Sequence, residues 1–306
     1  MKKYSNQEIK EFVSKPMFDE KVLLDKDTSY PKISIVTPSY NQAEFLERTI
    51  LSVLNQNYPN LEYIIIDGGS TDGSVEIIKK YEKHLTYWVS EKDKGQSDAI
   101  NKGFQKSTGE ILAWLNSDDT YLPGTLLKIG EIFREDSQVE IVYGNMYLID
   151  KADKIIGERR LTLYIFPISK YGFLHGGFGI YQPASFWRKK LYYGVGGIHS
   201  DFVHCMDNDL FAKFATSGAK FKFIREFLSG FRIHPQSKTC TIRKVAKRES
   251  RLIYEKYGAG DPIMSIIYRN LIRLIRIALY LRQGDGFWLV KRGVRKIIKR
   301  GTGIIP

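Results

Sequence analysis

The chain has 306 residues, of which 43% are hydrophobic and 26% charged, with a formal net charge of +13. That balance excludes a disordered chain. Its two cysteines, Cys205 and Cys240, exclude a disulfide scaffold and a cysteine-rich zinc module, and they suit a reducing cytoplasm.

Residues 1–30 read as a polar lead-in with apolar anchors at Phe12, Phe18 and Val22 to Leu24. Met1 to Lys15 lacks the pattern of a secretory signal. Strand and helix signals then alternate. Ile33 to Val36 is a short apolar strand closed by Thr37-Pro38. Apolar spacing predicts a helix over 44–55. Tyr63 to Ile66 is a run expected of a buried parallel strand. A helix is predicted over 74–82, a strand over 85–89, a helix over 96–106, a strand over 111–115 and a helix over 123–134 opened by Pro123. This rhythm implies an α/β fold with an open, Rossmann-like, mostly parallel sheet flanked by helices. After residue 139 the pattern turns to mixed strands at 141–143, 154–163 and 178–187. A helix at about 207–217, a strand at 221–228 and a helix near 245–257 follow.

Charge is unevenly placed. Residues 1–240 hold 31 basic and 30 acidic side chains, residues 241–262 hold 6 and 3, and residues 263–306 hold 10 and 1. A nucleic-acid binder would spread basic residues over a docking face, so no nucleic-acid partner is expected.

In an open parallel sheet, ligands gather beyond the carboxyl ends of the strands. Those ends here read Thr37-Pro38-Ser39-Tyr40-Asn41, Asp67-Gly68-Gly69-Ser70-Thr71-Asp72-Gly73-Ser74, Glu91-Lys92-Asp93-Lys94-Gly95-Gln96 and Asn116-Ser117-Asp118-Asp119. One acidic loop is ordinarily a turn or a helix cap. Three at successive strand ends point to a ligand. There is no Gly-x-Gly-x-x-Gly after the first strand and no Walker lysine. A divalent cation held by Asp118 and Asp119 against a diphosphate is the alternative solution, and hard oxygen ligands suit Mg²⁺ or Mn²⁺.

These four motifs, in this order, resemble family 2 glycosyltransferases of the GT-A fold over roughly residues 30–240. The resemblance implies an inverting, metal-dependent transferase. It would move a sugar from a nucleotide-diphosphate donor, UDP-linked by family habit, to a hydroxyl of a growing, lipid-linked bacterial surface polysaccharide. It also implies roles. Pro38, Tyr40, Asp67, Asp93, Gln96 and Asp118 would form the nucleotide site, with Tyr40 on the base, Asp67 accepting a hydrogen bond from it and Asp118 toward the ribose. Asp119 and His234 would hold the metal. Met206-Asp207-Asn208-Asp209-Leu210 is similar to the family's Glu-Asp-x-Asp-Leu segment, departing from it at Met206, and makes Asp207 the catalytic base with Asp209 as runner-up. An inverting transferase needs one carboxylate to take the proton of the acceptor hydroxyl. Otherwise Asp207 is a helix N-terminal acid favouring the dipole. Arg232 in Arg232-Ile233-His234 and Gln182 and Trp187 in Gln182 to Arg188 are candidate sugar or acceptor contacts; plain core packing is the other reading of Trp187. Residues 175–179 suggest a loop over the site. The alternative function is a non-catalytic nucleotide-sugar-binding or assembly protein.

The domains expected are a lead-in over 1–30, a catalytic domain over 31–240 with a nucleotide half (31–135) and an acceptor half (136–240), and a basic amphipathic helical tail over 241–306. Residues 263–282 are apolar, with Arg269, Arg273 and Arg276 at helical spacing, and 287–300 repeat the theme. Four arginines in the first segment argue against a spanning helix. The pattern suits an interfacial helix on the anionic inner face of a cell membrane, with the protein in the cytoplasm. The alternative is a helical pair packed on the catalytic domain.

Overall fold

A computed structural model describes residues 1–163, 179–257 and 262–293 of the chain. The loop expected over 175–179 and the helical pattern beyond residue 293 fall largely outside the described residues. The chain divides into two units: Met1–Leu161 with Ile180–His234, and Thr162–Gly179 with Pro235–Pro306.

The first unit begins with α1 (Asn6–Ser14) and α2 (Glu20–Leu24), inside what the sequence suggested was a lead-in. The signal for α1 was a capping box: Ser5 Oγ accepts from Glu8 N at 3.2 Å, and Glu8 Oε2 accepts from Ser5 N at 2.7 Å. Ile9, Phe12 and Val13 are the buried face. Then come β1 (Ile33–Ser39), α3 (Ala43–Leu54), β2 (Leu61–Asp67), α4 (Ser74–Lys80), β3 (Tyr87–Ser90), α5 (Gln96–Lys106) and β4 (Ile111–Trp114). Both β1 and β2 are buried along their whole length. Helices on both faces of a parallel sheet explain why their sequences run apolar without alternation. The helix expected to open at Pro123 starts two residues later, as α6 (Thr125–Glu135), after Gly124 at φ +77°.

The second half is more mixed. It holds β5 (Thr120–Tyr121), β6 (Ile141–Ile149), β7 (Ile155–Arg159), β8 (Ser185–Arg188), α7 (Lys189–Gly194), α8 (Met206–Thr216) and β9 (Phe221–Arg232). The strand expected over 178–187 is reduced to β8. Its first part, Gln182–Ala184, is a 3₁₀ turn around Pro183, which has no N–H for a ladder. In contrast, β9 runs four residues past its expected end and carries Arg232 to the site.

The nine strands among the described residues share one sheet, ordered β3-β2-β1-β4-β8-β6-β9-β5 with β7 on β6. The β3-β2-β1-β4 portion is parallel. The order reverses between β1 and β4, which is the switch point of this architecture.

Glu62 fastens the opposite end of the sheet. Its carboxylate accepts from Ser34 Oγ on β1, from Thr108 N and Oγ1 at 2.7 Å each and from Gly109 N at 3.3 Å. Burial alone raises its pKa, but these hydrogen bonds outweigh that and hold the carboxyl below its usual value of 4.5. A depressed folded-state pKa contributes stability above the unfolded value, and that stability is lost as pH falls through the folded value. Glu62→Ala is expected to destabilise the protein by about 2–3 kcal/mol at neutral pH, because it strands buried N–H donors. The deficit should shrink below about pH 4 in urea titrations.

The described residues of the second unit are mostly helical. It contains α9 (Lys238–Thr241), α10 (Arg243–Lys256) and α11 (Pro262–Arg282), and residues 286–293 are also helical. Its C-terminal portion runs from Pro235 and joins Thr162–Gly179 in the same unit.

Candidate active site

The loops after β1 and β2 are sewn together by their own side chains. Asn41, in the left-handed region at φ 51°, accepts at Oδ1 from Thr71 N (2.9 Å) and donates its backbone N–H to Ser70 Oγ (2.8 Å). Asp72 accepts from Ala43 N at 2.9 Å, starting α3. Asp67 is fully buried and both its oxygens are occupied: Oδ2 by Gly69 N, Ser70 N and Ser90 Oγ, and Oδ1 by Ser70 Oγ at 2.6 Å. It was expected to receive a hydrogen bond from the base; the structure places it at the centre of its own turn. An aspartate ahead of Gly-Gly-Ser forms such a turn readily. Pro38 is buried at the end of β1, while Tyr40 just beyond it is 62% exposed on the rim. Asp93 is half-exposed there too, its Oδ1 accepting from Gly95 N at 2.8 Å. It leans on Gly68, where a Cβ would lie 2.9 Å from Asp93 Oδ2. A side chain at 68 would require the Asp93 carboxylate to move aside.

The turn after β4 splits the aspartate pair. Thr49 Oγ1 on α3 pins it by donating to Ser117 O at 2.9 Å and Asp119 O at 2.7 Å. The Asp118 side chain is 21% exposed, and its Oδ2 lies 3.0 Å from His234 Nε2. Asp119 is fully buried; Oδ1 accepts from Arg232 N (2.9 Å) and Oδ2 from Asn116 Nδ2 (3.3 Å). Burial raises the Asp119 pKa well above the carboxylate range, and the Asp118 charge pushes the same way. Asp119, expected on the metal, is thus turned inward, and Asp118, expected toward the ribose, faces His234.

Arg232, expected as a sugar or acceptor contact, lies inside the fold. It is fully buried: Nε donates to Asp118 O (2.8 Å), Nη1 to Asp150 O (2.7 Å) and Nη2 to Asp153 Oδ1 (2.6 Å). Arg48 on α3 donates to the other oxygen of Asp153 at 2.9 Å. A fork of five donors suits such bridging.

A chain of amides joins the two halves. Gln96 Nε2 donates to Asn116 Oδ1 at 2.7 Å, Asn116 Nδ2 reaches Gln182 Oε1 at 3.4 Å, and Gln182 Nε2 donates to Trp114 O at 2.6 Å. Gln182 is therefore in the site region but buried. Trp187 is not; it is fully buried against Trp114, Phe104, Phe211 and Phe214. Core packing, the other reading, is its place.

The start of α8 is brought beside the nucleotide half by α5, through Ser97 Oγ to Phe202 O (2.9 Å) and Asn101 Nδ2 to Ile198 O (3.1 Å). Asp207 is half-exposed in the first turn, accepting from Asn208 N at 2.8 Å. Asp209 is fully buried, 3.2 Å from Lys213 Nζ, which also donates to Gly197 O at 2.7 Å. Two residues apart, one carboxylate is accessible and the other is an internal ion pair.

Compared with known proteins, residues 34–195 match the family model described as glycosyl transferase family 2. The chain belongs to this family. Among its relatives is an uncharacterized glycosyltransferase of Mycobacterium tuberculosis, Rv1514c, 33% identical over 190 residues that cover 61% of this chain and 70% of the relative. TuaG of Bacillus subtilis, a protein named for teichuronic acid biosynthesis, is 39% identical over 112 residues, covering 35% of this chain and 44% of TuaG. The fold is shared with the mannosyltransferase PcManGT of Pyrobaculum calidifontis, solved with GDP-Man and Mn²⁺, at 16% identity and a TM-score of 0.56. That match covers 96% of this chain and 86% of PcManGT.

For a family 2 glycosyltransferase the donor set can be tested for metal. Among the described residues no group of three His, Cys, Asp or Glu side chains converges. Asp118 Oδ2 and His234 Nε2 are the converging pair. Two protein ligands suit a cation that shares its sphere with phosphate oxygens and water, as Mg²⁺ and Mn²⁺ do. Asn116, Thr49, Arg48 and Asp153 are the residues the sequence reading did not assign. Asn116 and Thr49 lay in or beside recognised elements; Asp153 had no signal beyond an ordinary hairpin turn.

Proposed function

We propose that this family 2 glycosyltransferase moves a sugar, with inversion, from a nucleoside-diphosphate donor to a hydroxyl of a growing polysaccharide. The observation that carries the reading is the partly exposed Asp118 carboxylate 3.0 Å from His234 at the switch point of the sheet. Asp118 and His234 are the residues to hold Mn²⁺ or Mg²⁺. A cation bound there supplies positive charge toward the leaving diphosphate. Tyr40 offers its exposed ring to the base, and Asp93 serves the nucleoside. Asp207 takes the proton of the acceptor hydroxyl as its oxygen attacks the anomeric carbon. Met206, the departure from the family segment, is buried and leaves Asp207 the accessible carboxylate of that turn. TuaG's name supports a polysaccharide acceptor, and we take that acceptor to be lipid-linked at the inner face of a membrane. UDP is the favoured nucleotide.

The test is thermal stabilisation by UDP, GDP, dTDP and CMP, each with and without Mn²⁺. A native-state ligand at a hundred times its Kd adds about 2.7 kcal/mol. One diphosphate is expected to raise Tm only with Mn²⁺, and Asp118→Ala should abolish the metal-dependent part. A rise independent of Mn²⁺, unchanged in Asp118→Ala, would sink the metal assignment.

A further inference from the structure

Helix α11 has apolar residues on two faces, and only one of them is buried. Ile272 and Tyr280 are buried on one side. On the other, Ile263, Ile266, Ile267, Leu271, Leu274 and Ile277 fall along one face at helical spacing, and all are exposed, Ile263 by 69% and Leu274 by 67%. Leu281 extends the stripe by a further turn. At 1.5 Å per residue this helix of 21 residues is about 30 Å long. Beyond it, Phe287 is 82% exposed and Val290 is exposed as well.

Charge identifies what this face fits. Arg269, Arg273 and Arg276 follow one flank of the stripe at helical spacing, Arg273 exposed and Arg269 and Arg276 half-buried with Arg276 donating to Tyr280 Oη at 3.1 Å, and Arg282, Lys291 and Arg292 add further cations along the segment. Asp285 is the one acidic residue between 262 and 293, and it is buried. An apolar stripe with cations along its side seats in the boundary between acyl chains and anionic headgroups, the long basic side chains reaching back to the headgroups. Spanning is a different matter: no helix among the described residues is long and apolar enough to cross a membrane.

We infer that the exposed face of α11, with Phe287 and Val290, is a docking surface for an anionic lipid bilayer, on which the helix lies in the plane of the interface. The inference deepens the reading of a membrane-borne acceptor by naming the surface and the lipid charge. It is tested without turnover, so its failure and the failure of the transferase reading are separable.

The experiment is co-sedimentation of the full chain with vesicles of pure phosphatidylcholine and of phosphatidylcholine with phosphatidylglycerol, at low and high salt. Three proteins are compared: the parent, Leu271→Glu/Leu274→Glu on the stripe, and Arg269→Gln/Arg273→Gln/Arg276→Gln on the flank. The parent is expected to bind the anionic vesicles at least about tenfold more tightly than the neutral ones, and less at high salt. The stripe variant should bind about a hundredfold more weakly, from two large side chains no longer buried in lipid. The flank variant should lose its preference for anionic lipid while the stripe still gives weak residual binding. The nucleotide-dependent Tm shift should be unchanged in both, since neither alters a residue of the donor site. Failure of the folded parent to pellet with anionic vesicles overturns the inference, as does equal pelleting of parent and stripe variant. Concentration-dependent self-association abolished by the stripe variant, without vesicle binding, would make the face a protein interface and overturn it too.

Discussion

Asp207→Asn is expected to lower kcat by about 10²–10⁴-fold, the usual worth of a positioned general base, while leaving the nucleotide-dependent Tm shift intact. The neighbouring Asp209→Asn should do the reverse. Asp209 is fully buried and its partner Lys213 is nearly so. Neutralising one member of a buried pair leaves the other charge uncompensated, at a cost of about 3–5 kcal/mol. Asp209→Asn should therefore lower Tm, and the protein that remains folded should turn over normally. Single-turnover rates with saturating donor, set beside melting curves for the two variants, make the comparison. If Asp207→Asn keeps full turnover, Asp207 is not the base. If both variants lose only stability, α8 contributes structure and not chemistry.

Removing Asp153 should unfold or loosen the site from a distance. Asp153 lies in the β6–β7 turn with φ +65° and receives both Arg48 and Arg232. Asp153→Ala leaves the Arg232 guanidinium buried without a carboxylate, again about 3–5 kcal/mol. Arg232 is also what holds the Asp118 backbone and the Asp119 carboxylate. Loss of an outer support of this kind costs about 10–100-fold in metal affinity. The Mn²⁺ concentration for half-maximal Tm shift should rise by that factor in the milder Asp153→Asn, measured below its Tm. Lys151→Ala, on the same turn, whose ammonium pairs with exposed Glu44 and lies over the Phe45 ring, is the control and should change neither quantity. A stability loss in Asp153→Asn with an unaltered Mn²⁺ requirement would show that Asp153 supports the fold and not the site.

The strand ends were legible because each motif follows a short apolar strand directly, and a parallel strand delivers its last residues to one rim. Orientation within a motif was not. Asp118 and Asp119 are adjacent in sequence and alike in chemistry, yet one faces His234 and the other a backbone amide 113 residues away. Asp67 was legible as a site residue and not as a turn centre, since the N–H groups that occupy it belong to a conformation set by Gly69 at φ +82°. Trp187 carried both readings until its neighbours were known.

By itself the sequence determined the alternation of strands and helices, the order of the motifs and the family. Those rest on periodicity and on local turn chemistry, which need no distant partner. Tertiary structure alone decided which carboxylates are accessible. Burial depends on what long-range pairing brings alongside: β9 beside β6 delivers Arg232 and His234 to the end of β4, and the β6–β7 turn supplies Asp153. In α11 it decided which of two apolar faces is covered, because a helical pattern marks both and only packing chooses between them.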